Sequence, residues 1–194
     1  MNVADALTAS RLFMAPVFFV VYMWGMAIGL PPMAAVIVLW ALFVLIELSD
    51  LLDGMAARSM KTVSAFGKLF DPFADVFARL TYFAGFAFTG IMPTWIFLII
   101  LYREFSQLFL RQLLAERGVA MGARSGGKIK AVFYMIAGGA SLLLWSMRAL
   151  RVLPAYDGTF GLVVFALYCV AVTLSVGSFL DYIMQFRKIA ARHE

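Results

Sequence analysis

Cysteine and histidine are almost missing from this chain: one of each in 194 residues, Cys169 and His193. A lone cysteine closes no intrachain disulfide, and one of each is too few for a zinc site of the usual Cys and His ligands. Cys169 sits in an apolar run and reads as packing; His193, next to last, reads as solvated tail. Charge is scarce as well. Asp, Glu, Lys and Arg make up 14% of the chain, against about 25% in a soluble domain. Met1 to Ser10 holds no basic residue and carries Asp5. That is not the charged lead-in of a cleavable signal peptide, so none is expected.

What is present is apolar. Hydrophobic residues account for 64%, and the mean hydropathy is +0.93. A hydrocarbon core about 30 Å thick takes about 20 apolar residues per helical crossing. Runs of that kind cover residues 11–30, 33–57, 69–91, 93–116, 128–149 and 159–186. The expected fold is an all-α integral membrane protein, one domain over residues 1–194, with six transmembrane helices. A short N-terminal interfacial helix is expected ahead of them, because Val3, Ala6 and Leu7 recur at helical spacing between Asn2 and Ser10. Pro31-Pro32, Pro93 and Pro154 to Gly158 mark the outer turns, where a missing N–H does little harm.

The formal net charge is +5 and the pI about 9.6. In a lipid-embedded chain this basicity sets topology and meets anionic headgroups, so no nucleic-acid partner is expected. Arg11, Arg58, Lys61, Lys68, Arg117, Arg124, Lys128, Lys130, Arg187, Lys188 and Arg192 fall on one side of the expected spans, and only Arg148 and Arg151 on the other. The positive-inside rule then puts both termini in the cytoplasm of a bacterial inner membrane.

Ionisable residues inside spans are expensive and mark function by default. Asp50 and Asp53 stand at i,i+3 and Asp71 and Asp75 at i,i+4, so each pair shares a helix face. The two helices flank a short inner loop, which lets the pairs face each other. Four facing carboxylates in an apolar setting need protons or cations. Oxygen-only ligands suit Mg2+ or Mn2+, and two such ions about 3.5–4 Å apart clamp a displacement at phosphorus. Gly54 and Ala57 leave room beside the helix, Arg58 offers a planar fork for phosphate, and Gly67 permits close approach from the second helix. A purely structural ion network explains one buried carboxylate well. It does not explain four, with Gly, Ala and Arg at fixed offsets.

The stretch from Asp50 to Asp75 resembles the CDP-alcohol phosphotransferase family, whose motif D-x2-D-G-x2-A-R-x8-G-x3-D-x3-D it matches at every specified position. The resemblance implies a six-helix membrane fold, a homodimer and an active site on the cytoplasmic side. It implies that Asp50, Asp53, Asp71 and Asp75 bind metal and that Asp75 is also the general base. Gly54, Ala57, Arg58 and Gly67 would line the site of the CDP-linked donor, with Ser64 near its diphosphate.

The motif addresses the donor, so the acceptor is sought elsewhere. Asn2 to Arg11, with Leu7, Thr8 and Arg11 in place, resembles the opening N-I-P-x-x-L-T-x-x-R of bacterial phosphatidylglycerophosphate synthases. Arg103-Glu104 and Gly127-Lys128-Ile129-Lys130 are similar to their R-E and G-K-x-K segments. Ala4-Asp5, Val76 and Ala131 depart from the pattern. CDP-diacylglycerol with glycerol 3-phosphate is the first choice of substrates. Serine, an inositol phosphate, or a CDP-alcohol used with diacylglycerol remain as alternatives. An anionic acceptor needs cations, and Arg103, Arg111, Lys128 and Lys130 are the candidates for its phosphate. For Arg103 the expected partners are Asp75, Asp181 or that phosphate, with Glu104 pointing elsewhere. Arg79 and Asp181 are expected to pair structurally, and Glu47 lies one turn before Asp50 as a supporting group or a helix contact. A non-catalytic scaffold or small transporter is the rival class, and the intact aspartate set argues against it.

Overall fold

The computed structural model describes residues 3–60, 65–116 and 125–190; side chains are described for residues 8–49, 70–115, 127 and 129–188. Within these bounds the chain is helical: α1 Val3–Trp24, α2 Pro32–Met60, α3 Ala65–Phe88, α4 Thr94–Glu116, α5 Ser125–Leu150 and α6 Asp157–Ala190, with one 3-10 turn at Pro154–Tyr156. The anticipated separate N-terminal helix is corrected by this arrangement. From Val3 on its residues are the first turns of α1, which runs on without a break.

Turn chemistry explains the boundaries. Gly29 and Gly90 adopt positive φ, 94° and 74°, a region open to glycine at little cost. After Gly90 the Met92 amide reaches back to the Phe86 carbonyl at 3.0 Å, which folds α4 back beside α3. Pro32 begins α2, where its absent N–H would have had no helical partner. Pro16 and Pro72 lie inside α1 and α3, each removing one rung of the backbone ladder.

Helix α1 packs against both α2 and α3, α5 against α6, and α4 joins α3 to α6. The centre is aromatic: Phe18, Tyr82, Phe83, Phe86, Tyr134 and Tyr168 are buried. Lipid is as apolar as these rings, so fit and hydrogen bonds hold helices together rather than escape from water. Gly138 shows the fit. A Cβ there would stand 3.2 Å from both Phe43 and Tyr82. Hydrogen bonds tie α2 to α5 through Trp40 Nε1 to Ser146 Oγ at 3.1 Å and α5 to α6 through Tyr134 Oη to Ser175 Oγ at 2.6 Å.

Among the described residues three segments are long and apolar enough to cross a membrane unaided: Pro32–Ser49, Ile129–Leu150 and Pro154–Lys188; Thr8–Trp24 is a shorter apolar stretch. Helices α3 and α4 carry Asp71, Asp75 and Arg79 and Arg103, Glu104 and Arg111. Those charges turn inward, with Arg103 and Glu104 both buried, while Phe73, Phe88, Tyr102 and Phe109 face out.

Candidate active site

Asp50, Asp53, Gly54, Ala57 and Arg58 lie on the last turns of α2 and Gly67 on the first turn of α3. Their side chains fall outside the described residues, as does Ser64 altogether. The backbone supports the spacing argument: both aspartate pairs sit on helix, one turn apart, on either side of a short connection. Whether the pairs face each other lies outside what is described.

Asp71 and Asp75 are described, and α1 approaches both. Thr8 Oγ1 donates to Asp71 Oδ1 at 2.6 Å. Arg11 pairs with Asp75 through Nη1 and Oδ1, and its Nη2 donates to Thr8 Oγ1 at 3.4 Å. Thr8 and Arg11 are buried, whereas the Asp75 side chain keeps 26% of its exposure. One side of that carboxylate is therefore open to a ligand. Asp71 and Asp75 offer hard oxygen donors one turn apart, which fits Mg2+ or Mn2+. Among the described residues no three Asp, Glu, His or Cys side chains converge on a metal position; Asp50 and Asp53 are outside them.

The contacts of Thr8 and Arg11 with Asp71 and Asp75 emerge only from the structure. The L-T-x-x-R spacing, i,i+3 on a helix, carries a signal for the pair, whereas the topology argument groups Arg11 with the basic residues on one side of the spans. Burial removes Arg11 and Lys130 from that group.

A second polar cluster crosses the bundle. Lys130 Nζ donates to Glu104 Oε1 at 2.6 Å and Arg103 Nη1 to the same oxygen at 2.9 Å. Arg103 also donates to the Ser175 carbonyl at 3.2 Å and to Ser178 Oγ at 2.9 Å. This corrects the view that Glu104 points away from Arg103. Adjacent helical residues diverge by about 100°, but long side chains in a tight bundle can bend to meet. Arg79 lies 3.7 Å from Glu47, which also accepts from Tyr82 Oη at 2.9 Å. Glu47 is thus a carboxylate partner of Arg79, and Asp181 accepts from Gln185 at 3.1 Å. The Tyr134 ring joins the clusters, with Lys130 at 4.9 Å and Arg79 at 5.9 Å from its centroid.

Of the four acceptor candidates, Arg103 and Lys130 are brought together at Glu104. Arg111 lies two turns further along α4, near the Tyr182 hydroxyl on α6. Lys128 is on the first turn of α5, its side chain outside the described residues. Two apolar clefts, about 320 and 350 Å3, lie along α3 and α4 and share Phe73, Phe105 and Leu108.

The profile described as CDP-alcohol phosphatidyltransferase matches residues 1–177. A Treponema pallidum protein named CDP-diacylglycerol–glycerol-3-phosphate 3-phosphatidyltransferase is 38% identical over 199 aligned positions, covering 99% of this chain and 92% of its own. A Bacillus subtilis protein of the same name is 32% identical over 73% of this chain and 77% of its own. A Streptomyces coelicolor protein named cardiolipin synthase (CMP-forming) is 38% identical, over 41% of this chain and 38% of its own.

Proposed function

The chain belongs to the CDP-alcohol phosphatidyltransferase family, and from that premise we propose that it transfers the phosphatidyl group of CDP-diacylglycerol to glycerol 3-phosphate, releasing CMP in phospholipid synthesis. The observation that carries the choice of acceptor is the likeness, over nearly its whole length, to a relative named for that reaction. Cationic groups gathered around Tyr134 support an anionic acceptor: Lys130 lies 4.9 Å and Arg79 5.9 Å from its ring, with Arg103 beside Lys130 at Glu104.

In this reading Asp50, Asp53, Asp71 and Asp75 hold two divalent cations, Mg2+ or Mn2+, which would neutralise the diphosphate of the donor and the CMP that leaves. Gly54, Ala57 and Gly67 let the cytidine approach the helices, and Arg58 and Ser64 contact its phosphates. Asp75 accepts the proton of the acceptor hydroxyl, whose oxygen attacks the phosphorus bound to diacylglycerol as the bond to the CMP oxygen breaks. Arg111 and Lys128 contact the acceptor phosphate directly, and Arg103 and Lys130 set the positive field behind them. The chain works as a homodimer of one domain with six transmembrane helices. Helices α3 and α4 cross because their charges are paired inside the bundle. The surplus of cytoplasmic Lys and Arg keeps both termini inside.

Purified protein given CDP-diacylglycerol, Mg2+ and a panel of glycerol 3-phosphate, serine and inositol phosphate tests this. CMP release only with glycerol 3-phosphate is expected. Release with another acceptor and none with glycerol 3-phosphate would refute the substrate while leaving the reaction class intact.

A further inference from the structure

The proposed reaction asks Asp75 to hold a cation, yet a fixed cation already stands beside it. Arg11 is 1% exposed and paired with Asp75. The contacts between α1 and α3 run in parallel register: Thr8 meets Asp71, Arg11 meets Asp75, and Ala15 and Ala78 pack together with Ile46 at the next level. The small pair lets the two backbones come close, which seats the polar residues one turn away. Thr8 receives Arg11 and in turn donates to Asp71. Behind the pair, Arg11, Glu47, Asp75 and Arg79 line a cavity of about 10 Å3, room for about one water. Arg79 is matched there by Glu47, so the carboxylate that balances Arg11 is Asp75.

We propose that Arg11, seated by Thr8, is a positioning residue that serves as a built-in counter-ion for Asp75 and weakens the grip of the four-aspartate site on divalent cations. The inference rests on the metal-ligand reading above. In the cation-free protein Arg11 neutralises the Asp75 carboxylate and fixes its orientation. When a divalent ion binds, the guanidinium repels it across a shared carboxylate in a weakly screened setting. A site without that repulsion would bind cations more tightly but would hold Asp75 in a poorer pose for the acceptor hydroxyl. Arginine suits the role because its charge does not titrate away.

The test is a Mn2+ titration of the full chain in mild detergent, read from the electron paramagnetic resonance of free Mn2+, alongside kinetics. Arg11→Gln is expected to bind Mn2+ at least about tenfold tighter than the parent and to lose at least about a hundredfold in kcat, with the KM for CDP-diacylglycerol changed less than about threefold. Arg11→Lys keeps the charge and is expected to stay within about threefold of the parent Mn2+ affinity, with at least about a tenth of its kcat. If Arg11→Gln does not fold, Thr8→Val takes its place. It removes the seat of Arg11 and the donor to Asp71, and Mn2+ should bind at least about threefold tighter. Unchanged or weaker Mn2+ binding in either substitution overturns the proposal. Parent protein that binds no Mn2+ and turns over fully in EDTA overturns the metal reading itself. Mn2+ binding lost in Asp71→Asn but unaltered in Arg11→Gln overturns the Arg11 proposal alone.

Discussion

Lys130 Nζ on α5 donates to Glu104 Oε1 on α4 at 2.6 Å, with both side chains buried. Arg103 brings a second cation to the same oxygen and is anchored to α6 through Ser175 and Ser178. Glu104 thereby joins α4 to α5, and Arg103 joins α4 to α6. Removing one partner of a buried ion pair costs about 3–5 kcal/mol, because the other charge stays behind uncompensated. Glu104→Leu strands two cations and should lose about that much. Lys130→Met leaves Glu104 with Arg103 and should lose clearly less. Residual folded protein after graded heating in detergent measures the order. Equal losses would show that Arg103 does not share the load.

The carboxylate cluster predicts an absolute cation requirement. Asp50→Asn, Asp53→Asn and Asp71→Asn should each reduce turnover to background while the protein still inserts into the membrane. EDTA should do the same to the parent protein, with recovery on adding Mg2+. Full activity in EDTA would end the metal reading.

Asp75→Asn separates base from ligand. The amide keeps the size of the side chain but accepts no proton at the relevant pH. The expected result is loss of the chemical step with CDP-diacylglycerol binding retained, measured by equilibrium binding of the donor. Donor affinity that vanishes with turnover would make Asp75 chiefly a holder of the cation.

The acceptor phosphate should depend on cations near the ends of α4 and α5. A charge-assisted hydrogen bond is worth about 1.5–3 kcal/mol, roughly tenfold to more than a hundredfold in affinity. Arg111→Ala and Lys128→Ala should therefore raise the KM for glycerol 3-phosphate by at least about tenfold, with that for CDP-diacylglycerol nearly unchanged. Unaltered kinetics would leave these residues as anchors to lipid headgroups.

The helices were legible in the sequence because lipid demands long apolar runs and Pro-rich turns between them. Expected spans and observed helices agree to within a few residues at most ends. The aspartate motif was legible because residue types at fixed offsets carry the signal without any knowledge of packing. The partners of Arg103 and Arg79 were not. Glu104 and Glu47 are chosen by side-chain reach and helix rotation, which spacing along one helix does not encode. The inward turn of Arg11 is hidden for a related reason. A charge near the end of a span looks the same in sequence whether it faces headgroups or turns into the bundle.

The unbroken run of α1 from Val3 to Thr8 has a practical consequence for anyone handling the protein. Five residues of helix span about 7.5 Å, so anything fused ahead of Val3 begins within about one and a half helical turns of the carboxylates of α3. A bulky tag there would sit close to Thr8 and Arg11, whereas the same tag beyond Ala190 would be attached to α6.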